Sequence, residues 1–75
     1  MKQKQVFDVI TLVWQLMKPY LAMIPLSDSQ WLEVVDKTSE LENYIQSRYG
    51  ENSSHLAAKM MVGIIDYMAK ESKEG

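Results

Sequence analysis

The sequence predicts an all-α protein, a compact bundle of three helices that we expect to be oligomeric. Apolar residues recur three and four positions apart through most of the 75 residues, which is the spacing of one face of a helix. Ser27 and Gln30 stand at the spacing of a helix capping box, and Gly50 stands where a helix-ending glycine is expected. We expect one domain, 1–75, with frayed ends at about 1–3 and 72–75 and with helices at about 4–24, 28–49 and 53–71.

The first predicted helix contains a proline. Pro19 removes a backbone donor and disfavours helical backbone at the preceding residue. We therefore expect a kink or a break there, with Pro25 ending the segment. The core-facing row of this helix is predicted to be Val6, Ile10, Val13, Met17, Tyr20 and Ile24.

The second and third helices have clearer local signals. Leu26 and Trp31 occupy the two positions of a hydrophobic staple around the capping box, and Asn52 or Ser53 is expected to cap the third helix. Glu33 and Lys37 stand at the spacing of a helical ion pair. The predicted core residues are Trp31, Val34, Val35, Thr38, Leu41, Tyr44, Ile45 and Tyr49 on the second helix, and Leu56, Ala57, Met60, Met61, Ile64, Ile65 and Met68 on the third.

A second apolar row on the first helix is the most informative feature of the sequence. Phe7, Trp14 and Leu21 follow one another at intervals of seven residues, beside the core-facing row. A helix in a small monomeric bundle needs one apolar face. Either this helix is sandwiched between the other two, or the row faces another chain. Because only two other helices are available to cover it, we favour contact with another chain. Gly63 lies inside the third helix. It is either a point where the backbone of a partner approaches closely or a glycine that is merely tolerated on a solvated face.

Composition excludes several kinds of site. The chain has no cysteine and one histidine, His55, so it can form no disulfide and no closed zinc site. Its net charge is −2 and its eight basic residues are dispersed, which disfavours nucleic-acid binding. Asp8 and later polar residues interrupt the longest apolar stretch, so we expect neither a signal peptide nor a membrane span, and a cytoplasmic location.

No catalytic motif is present, and we expect no enzyme, cofactor or metal. All-helical nucleotide pyrophosphohydrolases hold magnesium with carboxylates on adjacent helices. The carboxylates of this chain that could match the pattern are Glu33, Asp36, Glu40 and Asp66. The pattern needs an acid where this chain has Gly63, so it stays a remote alternative. A small DNA-associated regulator is the nearer alternative, although the second helix is long for a helix-turn-helix.

From Trp31 onward the chain resembles small all-helical proteins encoded by phages and prophages of Gram-positive bacteria. The matching features are Trp31-Leu-Glu-Val-Val-Asp36, Glu40-Leu41, Tyr49-Gly50 and an apolar helix with Asp66 near its end. The resemblance implies a phage accessory protein in the bacterial host cytosol that acts by binding. We therefore expect a non-enzymatic interaction module that forms a dimer or higher homo-oligomer, or binds a host or phage protein, through Phe7, Trp14, Leu21 and Gly63.

Overall fold

The computed structural model describes residues 3–74, which form three α-helices and no strand: α1 (Gln3–Leu21), α2 (Asp28–Tyr49) and α3 (Glu51–Glu74). Helix α2 is antiparallel to α1. The Tyr20 hydroxyl, near the end of α1, contacts Glu33 near the start of α2, and residues 8–12 of α1 lie near residues 44–49 at the end of α2. Helix α3 turns back along α2, so α1 and α3 run in the same direction. The predicted all-α fold of three helices is confirmed.

Helix α2 has the predicted bounds, and its first turn explains why. The Ser27 Oγ accepts a hydrogen bond from the Gln30 backbone N–H at 3.3 Å, and the Gln30 Oε1 accepts one from the Ser27 N–H at 2.8 Å. Both bonds of the capping box are therefore present. Leu26 is buried and Trp31 packs against the same core. At the other end Gly50 adopts φ 103° and ψ 175°, a backbone conformation open essentially to glycine.

Helix α1 ends earlier than expected. It runs through Pro19 and stops at Leu21, three residues before the predicted end, so the chain does not break at Pro19. The predicted kink at Pro19 stays a prediction. The Ala22 and Met23 N–H groups donate to the carbonyls of Lys18 and Tyr20. These bonds close the last turn, and the chain leaves the helix before Pro25.

Helix α3 begins at Glu51, two residues before the predicted start, and the expected cap at Asn52 or Ser53 is wrong. The Ser54 N–H donates to the Gly50 carbonyl, so α3 follows α2 with one glycine between them. Ser53 and Ser54 are buried, and the Ser54 hydroxyl donates to the Glu42 carbonyl of α2. Because the helix already begins at Glu51, the two expected caps, Asn52 and Ser53, lie within its first turn. Among the positions predicted to fray, residue 3 lies in α1 and residues 72–74 lie in α3. Residues 1, 2 and 75 lie outside the described residues.

The core lies where the three helices meet and consists mainly of the predicted residues. On α1, however, Val9 is fully buried whereas Ile10 is 44 % exposed, so the buried row is shifted by one residue at this point. On α2, Val35 and Tyr44 were expected in the core and are half-exposed instead. The buried apolar side chains are Val9, Val13, Met17, Tyr20, Leu26, Val34, Ile45, Ala57, Met61 and Met68.

Candidate functional site

An open apolar groove of about 450 Å³ lies between α1 and α3. Trp14 and Leu21 line it from α1. Met60, Gly63, Ile64 and Tyr67 line it from α3, and Lys59 is the one charged residue in the lining. Its volume falls within the range of small-molecule and cofactor sites, about 300–1,000 Å³.

Aromatic side chains on both walls of this groove remain exposed. Trp14 is 51 % exposed on α1, and Tyr67 is 55 % exposed on α3. At about 100° per residue, Phe7, Ile10, Trp14 and Leu21 fall within an arc of about 60° on α1. Phe7 is 66 % exposed, so the apolar row continues along α1 toward its N-terminus, beyond the groove itself.

Three of the four residues predicted to form an interface lie in this groove, and the fourth lies beside it. Trp14, Leu21 and Gly63 line the same groove, although Gly63 is about 50 positions from Trp14 in the chain. Phe7 lies on the same side of α1 but outside the lining. Leu21 is only partly exposed and packs against the core, so it forms the floor of the groove rather than a projecting contact.

Apart from Gly63, sequence reasoning missed the residues of α3 that line the groove. Met60 and Ile64 were assigned to the core alone, and Tyr67 was assigned to no surface. The available signal was the four-residue spacing of Lys59, Gly63 and Tyr67, which places a long side chain on each side of the glycine. That spacing defines a depression on the helix surface only if a neighbouring helix leaves the depression open.

Gly63 itself is open to solvent. A methyl group built at its Cα would meet nothing within 4 Å, so packing within the chain does not require a glycine here. A glycine inside a helix costs about 1 kcal/mol relative to alanine. The isolated fold therefore carries this cost without a contact that explains it.

A second, smaller groove lies between α1 and α2 and has a mixed lining. Its volume is about 290 Å³, and it is lined by Asp8, Thr11, Leu12, Tyr44, Arg48 and Tyr49. The Arg48 guanidinium stands 5.8 Å from the centre of the Tyr49 ring. A hydrogen bond with Tyr49, followed by the charges of Tyr44, Tyr49 and Asp8, raises the pKa of Arg48. Arg48 therefore interacts with a neighbour in the lining of its own groove.

The Tyr20 hydroxyl forms the shortest side-chain bond between α1 and α2, donating to Glu33 Oε1 at 2.6 Å. This bond, with burial and the Glu33 charge adding to it, raises the pKa of Tyr20 to about 12. Glu33 therefore bonds to α1, and Lys37 pairs with Glu40 at 3.9 Å rather than with Glu33 as predicted. The bond joins the end of α1 to the start of α2.

The other carboxylates that were candidates for a magnesium site do not cluster. Glu40 is 72 % exposed beside Lys37, and Asp66 pairs with Lys70 at 3.3 Å. Within residues 3–74, no group of three or more histidine, aspartate or glutamate side chains is placed to hold a metal ion. His55 lies at the surface, 3.7 Å from Glu51.

Comparisons of the chain with family models, with curated proteins and with solved structures found no match. None of the three described helices combines the length and the apolarity needed to cross a bilayer.

Proposed function

We propose that this protein is a non-enzymatic interaction module that self-associates through the groove between α1 and α3. The observation that carries the proposal is the half-exposed Trp14 beside an open apolar groove. A tryptophan is costly to leave in water, and aromatic residues are enriched at the centres of protein interfaces. The occupant of the groove is a second copy of the chain.

The total surface of the chain supports an uncovered face. A folded monomer of 8.7 kDa has an accessible surface of roughly 4,700 Å². This chain has 5277 Å², about a tenth more. The molecule is elongated, 39 × 20 × 16 Å, and an elongated shape adds to this surface.

The apolar area on this face is close to what a dimer uses. Phe7, Trp14 and Tyr67 are each at least half-exposed, and side chains of this kind contribute about 150–250 Å² each when covered. With Ile10 added, the exposed apolar surface is on the order of 400 Å². One partner of a standard interface buries about 800 Å², a little over half of it apolar. The face therefore supplies most of the apolar part of one such interface.

The biological setting belongs to the same proposal. The resemblance to small phage and prophage proteins supports a phage accessory protein acting in the host cytosol. No charged constellation along the groove favours a nucleic acid or a phosphate ligand, because Lys59 is its one charged lining residue. A host or phage protein could cover the same groove, and the experiment below separates that occupant from a second copy.

The test is the mass of the purified chain by sedimentation velocity from about 1 to 100 µM, a range chosen to bracket micromolar self-association. We expect at least a dimer, and we expect Trp14→Glu to yield a monomer with unchanged helicity, because it buries a charge at the centre of the interface. Leu32→Glu is the matched control: Leu32 is 69 % exposed on α2 and lies outside the groove.

The control should remain associated. A parent chain that is monomeric over the whole range contradicts self-association, and the groove would then belong to a different protein. Dissociation by Leu32→Glu as readily as by Trp14→Glu would also contradict the proposal, because the interface would then lie elsewhere.

A further inference from the structure

We infer that Trp14 of each copy packs against Gly63 of the other, in a symmetric pair with α1 of one copy lying along α3 of its partner. This inference rests on the proposed self-association and specifies which residues of the two copies meet. The projecting side chain and the open depression are both in the groove, but on different helices. A surface that holds both can pair with itself, as a two-fold interface requires.

The positions of the two residues determine which symmetry axis fits. Trp14 and Gly63 line one groove, so their separation along the parallel helices α1 and α3 is no more than the length of that groove. A two-fold axis running along the groove, parallel to both helices, places α1 of each copy over α3 of the other. An axis perpendicular to the helices would instead place α1 over α1, and Trp14 would then meet no glycine.

The parallel axis also brings together apolar residues on the N-terminal side of this contact. Phe7 precedes Trp14 by seven residues, and Leu56 precedes Gly63 by seven. Seven residues of helix rise about 10 Å, so Phe7 of one copy faces Leu56 of its partner when Trp14 faces Gly63. Phe7 is 66 % exposed and Leu56 is partly buried against the core. The contact explains why the exposed row extends past the groove toward Phe7.

The pairing also explains the glycine. Nothing in the chain comes within 4 Å of a methyl group built at Gly63, so an alanine would fit the isolated protein and would favour the helix. A large ring lying on the helix backbone needs the space that a side chain would fill. The indole of the partner's Trp14 is the group on this surface with the size and exposure to use that space.

The first test compares substitutions at Gly63 with one at its neighbour. Gly63→Ala should raise the melting temperature at concentrations where the chain is monomeric, and it should weaken the dimer at higher concentrations. Gly63→Leu should raise the dimer Kd by at least about tenfold. Val62→Leu, at a 65 % exposed position outside the groove, is the matched control and should leave the Kd unchanged.

The second test follows Trp14 by fluorescence. In a Trp31→Phe background, Trp14 is the one remaining tryptophan. Its emission should shift to shorter wavelength as the chain associates and the indole leaves water. In Gly63→Leu on the same background the shift should be lost or need at least about tenfold more protein. Circular dichroism checks that each variant is folded.

The outcomes separate this inference from the proposed function. A parent chain that stays monomeric overturns both. A parent that dimerises, with Gly63→Leu dimerising equally well and with Trp14 emission unchanged on association, overturns the Trp14–Gly63 contact and leaves self-association in place. Loss of the dimer in Gly63→Leu together with a more stable Gly63→Ala monomer supports the contact, because a merely tolerated glycine would produce only the gain in stability.

Discussion

The two sides of α1 differ in how their grooves are lined. Toward α2 the groove has a mixed lining that includes Asp8, Thr11 and Arg48, and Arg48 interacts with Tyr49. Toward α3 the lining is apolar except for Lys59, and Trp14 and Tyr67 are half-exposed in it. Polar groups can be satisfied by one another and by water, whereas apolar groups in water gain only from being covered. The side toward α3 therefore has the stronger reason to associate.

The two tryptophans give the largest contrast between a residue of the fold and a residue of the groove. Trp31→Ala should lower the free energy of unfolding by about 2–3 kcal/mol, below the 3–5 kcal/mol of a fully buried ring, because Trp31 is partly buried against the core. Trp14→Ala in the monomer should cost less than about 1 kcal/mol. Urea unfolding of dilute protein, followed by circular dichroism, measures both. Equal losses for the two would mean that Trp14 belongs to the core.

The side of α1 toward α2 makes a smaller and pH-dependent contribution. Tyr20→Phe removes the hydrogen bond to Glu33 and should cost about 1 kcal/mol at neutral pH. The pKa of Tyr20 is about 12 in the folded chain and about 10 in an unfolded one. Between these values the folded state binds more protons, so the contribution is fully present below pH 10 and falls as the pH rises toward 12.

The alkaline dependence is measured by urea unfolding at several pH values from 7 to 11. The parent should lose more stability than Tyr20→Phe over the alkaline part of this range. Tyr44→Phe is the control, because Tyr44 is half-exposed and forms no corresponding bond to Glu33. The same alkaline slope in the parent and in Tyr20→Phe would contradict a role for this bond.

The smallest expected effect is that of divalent cations. Asp8 lines the groove between α1 and α2 together with Arg48, and Asp66 pairs with Lys70. Millimolar magnesium or manganese should therefore leave the melting temperature almost unchanged. Binding at 100 times the dissociation constant would add about 2.7 kcal/mol, a rise of roughly 10 °C for a domain of this size. A rise of that size, lost in Asp66→Asn or Glu40→Gln, would favour the pyrophosphohydrolase alternative.

Local sequence signals were reliable where the determining contacts are local. The capping box at Ser27 and Gln30 and the glycine at position 50 predict the bounds of α2, because each acts within one turn of backbone. The start of α3 was predicted two residues late. The expected caps, Asn52 and Ser53, lie inside the first turn of α3, where Asn52 is exposed and Ser53 is buried. Spacing alone does not show which of several consecutive polar residues precedes the first turn of a helix.

The candidate site divides in the same way. The row Phe7, Trp14 and Leu21 was evident from the sequence, because a seven-residue spacing keeps side chains on one side of a helix. Which of the three would remain exposed was not. Contact with the core covers much of Leu21 and leaves Phe7 and Trp14 exposed. The depth of burial depends on how closely a second helix approaches, and that distance depends on side chains far away in the chain.

The helical character of the chain, the bounds of α2 and the excess apolar surface of α1 could all be predicted from the sequence. Helical periodicity and capping chemistry depend on neighbours within a few residues. The packed structure was needed to show that Trp14 and Gly63 share one groove, that Val9 rather than Ile10 is buried, and that Tyr20 donates to Glu33. These pairings depend on the rotation of each helix about its own axis, which is set by the fit of all three helices together rather than by any one segment.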